Sequence, residues 1–198
     1  MQKLLIASTN KGKIKEIKSL FSDLNFTIKG LKDYPEIGDI KEDGNSFKEN
    51  ALKKARVGAN NTGLYTLADD SGLVVDYLDG APGIYSARFA GENASDRDNN
   101  EKLLKMLKGV PEQQRDAHFK CVMALVRPRK DEEYTFAGKC PGKITKKPRG
   151  EHGFGYDPVF YVPEYEKTMA QLEPSIKNEI SHRAQALEKV KRFLKNEI

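Results

Sequence analysis

The hydrophobic period of this chain switches between strand and helix several times, each time within a few residues. "KLLIAS" is an apolar run that reads as a buried strand, and in "KGKIKEIKSLF" behind it Ile14, Ile17, Leu20 and Phe21 recur at helical spacing. That order is a strand, a loop and a helix. "SFKENALKKARVGAN" repeats the helical period, with Phe47, Ala51, Lys54 and Ala55 on one side and Ser46 placed to cap. "LYTLA" and "LVVDYL" read as strands flanking a polar interruption, "HFKCVMALVR" and "EYTFAGK" as consecutive strands, and "SDRDNNEKLLKML" as a helix capped by Ser95. "HRAQALEKVKRFL" closes the pattern with Ala184, Leu187, Val190 and Leu194 forming an apolar stripe. Strands and helices are intermixed, without an internal repeat or a Pro/Gly/Ser-rich linker. The expectation is an α/β fold, a mixed sheet with two lobes, in a chain whose 198 residues can bury a sizeable core. "CPGKITKKPRGEHGFGYDP" is basic, glycine-rich and turn-prone, the composition of a mobile functional loop.

Charge narrows the partners. Charged residues make up 32% of the chain, against roughly 25% in ordinary domains, and no block of one sign is long enough for a disordered tail. A net charge of +5 and a pI near 9.0 favour anions: nucleic acid, acidic membrane or a small phosphorylated ligand. The basic residues are scattered, and no RRM, KH or OB-like aromatic pattern accompanies them, which counts against nucleic acid. The apolar run at the start is too short for a secretory signal, and none approaches the ~20 residues that span a membrane. Cys121 and Cys140 lack CxxC spacing and Cys121 sits in an apolar run, so neither a metal knuckle nor a disulfide framework is expected. A reducing cytoplasm fits these features.

Four constellations can carry chemistry. "LADDSGLVVD" places Asp69, Asp70 and Ser71 between apolar runs. Asp-Ser-Gly is ordinary turn chemistry, but strand ends are also where α/β proteins mount catalytic and metal-binding carboxylates. Neighbours on an extended chain face opposite ways, so Asp69 and Asp70 should not both point at one ion; one is expected to be catalytic and the other structural. With Glu42 they are hard oxygen ligands of the kind Mg²⁺ takes. In "ASTNKGK", Ser8, Asn10, Gly12 and Lys13 precede a helix, which fits an anion cradle and a capped polar turn equally well; neither a Walker loop nor GxGxxG is present. In "KEDGNSFKENALKKA", Glu42 precedes Gly44 in a turn, Asn50 and Lys54 share a helix face and can reach one ligand, and Glu49 with Lys53 reads as a solvated pair. In "GFGYDPVF" and "SHRAQAL", Phe154 and Tyr156 alternate with glycines ahead of Asp157, while His182 and Arg183 open a helix capped by Ser181. These offer a stacking surface, an acceptor and donors. A glycine-rich turn with core aromatics and a surface arginine is the competing and simpler account.

"STNKGK", "FKENALKKA", "LADDSGLVVDYLDGAPGIYSARFAGE", "GFGYDP" and "SHRAQAL" occur in the order seen in the inosine triphosphate pyrophosphatase, or Ham1-like, family, and the chain resembles that family nearly end to end. The resemblance implies a single domain over 1–198, with an elongated mixed central sheet, flanking helices and two lobes enclosing a nucleotide cleft. It implies hydrolysis of ITP, dITP and XTP to the monophosphate and pyrophosphate with Mg²⁺, by a cytoplasmic homodimer that clears such nucleotides from the pool, with no nucleic-acid or membrane partner. Residue by residue, it assigns the triphosphate to Ser8, Thr9, Asn10, Lys11, Gly12 and Lys13, with Lys54 in a phosphate role. Asp70 is implied as catalytic base and metal ligand, Glu42 as the other metal-binding acid. Ser71, Phe154, Gly155, Tyr156, Asp157, Lys177, His182 and Arg183 are implied as substrate contacts. Tyr156 stands where some relatives carry tryptophan, which leaves stacking and packing both open.

The chemistry of such a reaction agrees with that assignment. Releasing pyrophosphate is mainly an electrostatic problem, met by cations at the phosphates and a carboxylate that orients and deprotonates water. Hypoxanthine and xanthine present O6 as acceptor and N1–H as donor, the reverse of adenine, so Asp157 can accept from N1–H and Lys177 or Arg183 can donate to O6. Guanine shares both groups with hypoxanthine, so its exclusion must act at C2. A pyrophosphatase for modified pyrimidine or methylated nucleotides would share the metal chemistry and differ in base reading.

Overall fold

The computed structural model describes residues 2–128 and 132–197. The chain opens with β1 (Gln2–Ile6), α1 (Lys11–Leu20) and β2 (Phe26–Gly30), followed by α2 (Phe47–Thr62) and β3 (Tyr65–Val75). Then come α3 (Asp96–Met106), β4 (Asp116–Arg127), β5 (Glu132–Ile144), β6 (Phe160–Val162), β7 (Lys167–Thr168), α4 (Pro174–Ile180) and α5 (His182–Glu197). Among the described residues the strands form one seven-stranded mixed sheet in the order β2-β1-β3-β4-β5-β6-β7. β1 pairs parallel with β2 (Leu4 opposite Ile28) and with β3 (Leu5 opposite Thr66); β6 pairs antiparallel with β5 and β7.

By its contacts the chain divides into two compact units. The first comprises Met1–Asp70, Cys121–Ala137 and Gln185–Ile198; the second comprises Ser71–Lys120 and Gly138–Ala184. In the first, Leu4 and Ile6 of β1, Ile17 and Phe21 at α1, and Leu67 of β3 bury together with Met123 and Leu125 of β4 and Leu187, Val190 and Leu194 of α5. In the second, Leu73 and Val75, Leu103 and Leu107, Phe119, Ile144, Val159 and Phe160 form the core. Truncating one such side chain to alanine costs about 2–5 kcal/mol. Cys121 and Cys140 are buried thiols outside any disulfide, one in each unit.

Helix starts follow the capping residues. Ser46 Oγ accepts from Glu49 N–H at 3.1 Å, and Ser95 forms a capping box with Asp98. At α5, Ser181 Oγ accepts from Ala184 N–H at 3.1 Å. Four expectations change. The Asp-Ser-Gly stretch does not break the chain into two strands: β3 runs unbroken for 11 residues, and the "DYL" expected as strand is a 3-10 turn over Asp76–Leu78. β5 extends through Ile144, so the first residues of the supposed loop are strand. Ala184 is only half-buried, six residues before Val190 and so turned from its face, and Ala186 takes its place in the stripe. Glu49 and Lys53 do not make the expected surface pair, because Glu49 Oε2 accepts from Asn45 N–H at 2.8 Å and Lys53 bonds Asp43.

Candidate active site

The loop after β1 is ordered by its own polar side chains. Ser8 Oγ accepts from Asn10 N–H at 3.2 Å, and Asn10 Oδ1 accepts from Lys13 N–H at 3.1 Å, so Asn10 is the N-cap of α1. Thr9 and Gly12 are exposed; the side chain of Lys11 lies outside the described residues. Lys13 Nζ reaches Asp69 Oδ2 at 2.6 Å. A pocket of about 320 Å³ opens here, lined by Ala7, Ser8, Thr9, Lys13, Leu31, Gly38, Asp39, Ile40, Glu42, Lys54 and Asp69. Two lysines among three carboxylates, beside the start of α1, make this a polar, charge-rich recess suited to an anion together with its counter-cation.

Asp70, the next residue of β3, turns to α2. Asn50 Nδ2 donates to Asp70 Oδ2 at 3.0 Å while Asn50 Oδ1 accepts from Gly44 N–H at 2.8 Å, so one fully buried amide joins the carboxylate to the turn before α2. One turn further along α2, Lys54 Nζ meets Glu42 Oε1 at 2.5 Å. Burial raises the pKa of the Asp70 carboxyl; Lys54 and Asn50 oppose that shift, and Glu42 and Asp69 add to it. A carboxylate 7% exposed and biased toward holding a proton has the character of a general base. The two neighbouring carboxylates turn to different elements: Asp69 pairs with Lys13 on α1, Asp70 with Asn50 on α2. Asp69, not Asp70, is among the residues lining the pocket.

No group of three or more His, Cys, Asp or Glu side chains gathers as a metal centre among the described residues. Glu42 and Asp70 are nevertheless close enough for each charge to bear on the other, with Lys54 acting on both. Two hard oxygen donors already arranged around positive charge fit Mg²⁺, which needs one or two carboxylates and takes its remaining ligands from water and phosphate.

The second unit holds the remaining candidates. Ser71 is half-buried on β3. Lys177 Nζ, on α4, meets Asp157 Oδ2 at 2.5 Å, and Phe154 N–H donates to the same oxygen at 3.3 Å. Gly153 has φ 92°, and a Cβ there would strike Asp157 Oδ2 and Lys177 Nζ, so only glycine lets this pair close. Tyr156 is buried and its hydroxyl donates to Ser86 O at 2.8 Å, so the side chain packs within this unit; burial pushes its pKa up. Phe154 is 61% exposed, with the Arg183 guanidinium 5.7 Å from its ring centre. Arg183 is 7% exposed, which removes the surface-residue account of it, and the His182 ring stacks on Phe119 at 4.9 Å. Gly155 donates its N–H to Asp96 Oδ2 at 2.6 Å.

Sequence reasoning left Asn50 out of the site although its spacing from Lys54 pointed there. The pocket wall at Leu31 and 38–40 had no signal, because two 3-10 turns, Leu31–Asp33 and Pro35–Ile37, shape that segment without a period to read.

Known proteins resemble this chain along almost its whole length. The family model of the Ham1 family matches residues 4–193. A dITP/XTP pyrophosphatase of Geobacter sulfurreducens is 53% identical over 194 residues, covering 98% of this chain and 97% of that protein. One of Desulforamulus reducens is 50% identical over 192 residues, covering 97% and 95%. Among solved structures, a HAM1 protein from Coxiella burnetii superposes with a TM-score of 0.94 at 43% identity, covering 99% of this chain and 100% of that one. The Staphylococcus aureus Ham1 protein gives 0.92 at 44%, with 100% of both chains covered. Matched along almost its whole length in sequence and in fold, the chain belongs to the Ham1 family.

Proposed function

We propose that this chain is a nucleoside triphosphate pyrophosphatase that hydrolyses non-standard purine nucleotides, ITP, dITP and XTP, to the monophosphate and pyrophosphate, with 1–198 acting as one catalytic domain. The observation that carries the reading is the buried Asp70 carboxylate, raised in proton affinity and held by Asn50 beside the Lys54–Glu42 pair. In this mechanism Ser8 to Lys13 and Lys54 take the triphosphate, as the recess between β1 and α1 suggests. Asp70 accepts the proton of the attacking water, and the α–β anhydride is the bond that breaks. Mg²⁺ held by Asp70 and Glu42 would offset the charge on the departing pyrophosphate.

Ser71, Phe154 to Asp157, Lys177, His182 and Arg183 take the nucleoside. Asp157 accepts from N1–H, and Lys177 or Arg183 donates to O6. Adenine presents the opposite pair and would leave both protein groups facing like partners, a mismatch of the kind that rejects a substrate by about 10⁴–10⁵. A homodimer and a cytoplasmic setting complete the reading. No helix among the described residues is long and apolar enough to cross a membrane.

The test is pyrophosphate release from ITP, dITP, XTP, GTP and ATP, with and without Mg²⁺. Release from the first three only, abolished by a chelator, supports the reading. Equal turnover of ATP, or release unaffected by the chelator, overturns it. Analytical ultracentrifugation checks the dimer.

A further inference from the structure

Both backbone hydrogen-bonding groups of Gly155 are held by one helix. Asp96, at the start of α3, accepts the Gly155 N–H at 2.6 Å, and Asn100, one turn later, donates its Nδ2 to Gly155 O at 2.8 Å. The same Nδ2 also donates to Asp96 O at 2.8 Å, so both amide hydrogens lie on carbonyls and the orientation of the side chain is fixed. Asn100 is 6% exposed, and its Oδ1 is buried without a hydrogen-bond partner. An apolar side chain would leave no such acceptor stranded; the fold carries this cost, and what it gains is the grip on Gly155.

What that grip controls follows from the neighbours. Gly155 has φ 60°, a left-handed conformation that leaves the loop without side-chain anchorage at this point. On one side stands Phe154, whose N–H donates to Asp157 and whose ring faces Arg183; on the other, Tyr156 is tied to Ser86. Release of Gly155 frees the Phe154–Gly155 segment to swing, and with it the ring and one of the two donors that orient the Asp157 carboxylate.

We propose that Asp96 and Asn100 are positioning residues for purine discrimination, acting through the Gly155 peptide on Phe154 and Asp157. The inference rests on the assignment of Asp157 as reader of the base. Neither residue is among those assigned to the triphosphate, so their loss is felt in selectivity and KM before kcat. Asn100→Ala and Asp96→Ala should each raise KM for dITP and lower the dITP-to-ATP ratio of kcat/KM by about tenfold or more, with kcat changed much less. Asp96→Asn keeps an acceptor for the Gly155 N–H and should restore most of the ratio. Amide hydrogen exchange at Gly155 should quicken in Asp96→Ala. Asp96 is exposed, so that variant remains informative even if the buried Asn100 change impairs folding, which thermal unfolding will show.

Asp157→Asn, run in parallel, separates the two levels of the argument. If it collapses the ratio while Asp96→Ala and Asn100→Ala leave it intact, or lower both substrates by one factor, the positioning role is overturned and the base-reading assignment stands. If Asp157→Asn leaves the ratio unchanged, the base-reading assignment fails and the positioning role falls with it.

Discussion

Adjacent aspartates on one strand are separated by their partners more than by position. Asp69 has Lys13 for a counter-ion; Asp70 has an amide donor and a neighbouring ammonium already engaged by Glu42. Removing the proton-accepting ability of Asp70 should therefore be far more damaging. Asp70→Asn is expected to lower pyrophosphate release by about 10²-fold or more while nucleotide still binds, measured by turnover and by calorimetric titration. Turnover near that of the parent chain would take Asp70 out of the mechanism. Lys13→Ala and Lys54→Ala should weaken dITP and XTP by the same factor, since contacts to phosphate carry no information about the base; steady-state kinetics on both nucleotides checks it, and a selective loss would move that lysine to the purine. At this scale residue type and order singled out Glu42, Lys54, Asp70, Asp157 and Arg183 as candidates, and the structure pairs Lys54 with Glu42 and Lys177 with Asp157. Burial was not legible: the reading of Arg183 as a surface residue failed because a helix's first turn carries too few residues for a period to show which face is covered.

At the level of elements, the anchoring of α5 is accessible to experiment through one acid. Asp23 lies 2.7 Å from Lys191 and 2.8 Å from Lys195, and those two ammonium groups hold its pKa down at about 2. The folded value lies below the ordinary 3.8, so the contribution is present above about pH 4 and is lost as the pH falls toward 2. Asp23→Asn should thus flatten the acid-side loss of stability in that window, as urea denaturation across a pH series at low salt would show; the pair is exposed, and added salt should shrink the difference. A neighbouring test is the start of α2. Ser46→Ala removes the cap that accepts from Glu49 N–H and should cost about 1 kcal/mol, read as a lower urea midpoint. The starts of α2 and α3 were legible because caps are local chemistry, as Ser46 and Ser95 demonstrate, whereas α4, which has no side-chain cap, was not read. β3 was misread because Asp-Ser-Gly carries the same turn signal whether or not partners on other elements satisfy the carboxylates, and those partners, Lys13 and Asn50, lie 56 and 20 residues away.

For the molecule as a whole, a net charge of +5 acts on a substrate carrying several negative charges. The long-range field should speed encounter, so kcat/KM for dITP is expected to fall steadily as ionic strength rises and the screening length contracts to about 10 Å at 0.1 M, with kcat little affected. An unchanged kcat/KM across that range would mean that only charges inside the pocket matter. Fold class was readable from the alternation of periods and two lobes were expected, whereas the bounds of the two units were not readable, because they fall within β3, β4, β5 and α5, where composition does not change. That partition gives the two cysteines a use. Cys121 is wholly buried in the first unit, and Cys140, 3% exposed in the second, has its thiol pushed up to about 11 by burial. A thiol so placed is scarcely ionised at neutral pH and reacts with an alkylating reagent only when its surroundings open. The protein therefore carries two clocks: timed alkylation, followed by mass measurement of the two cysteine peptides, would read the opening rate of each unit separately without a label being introduced.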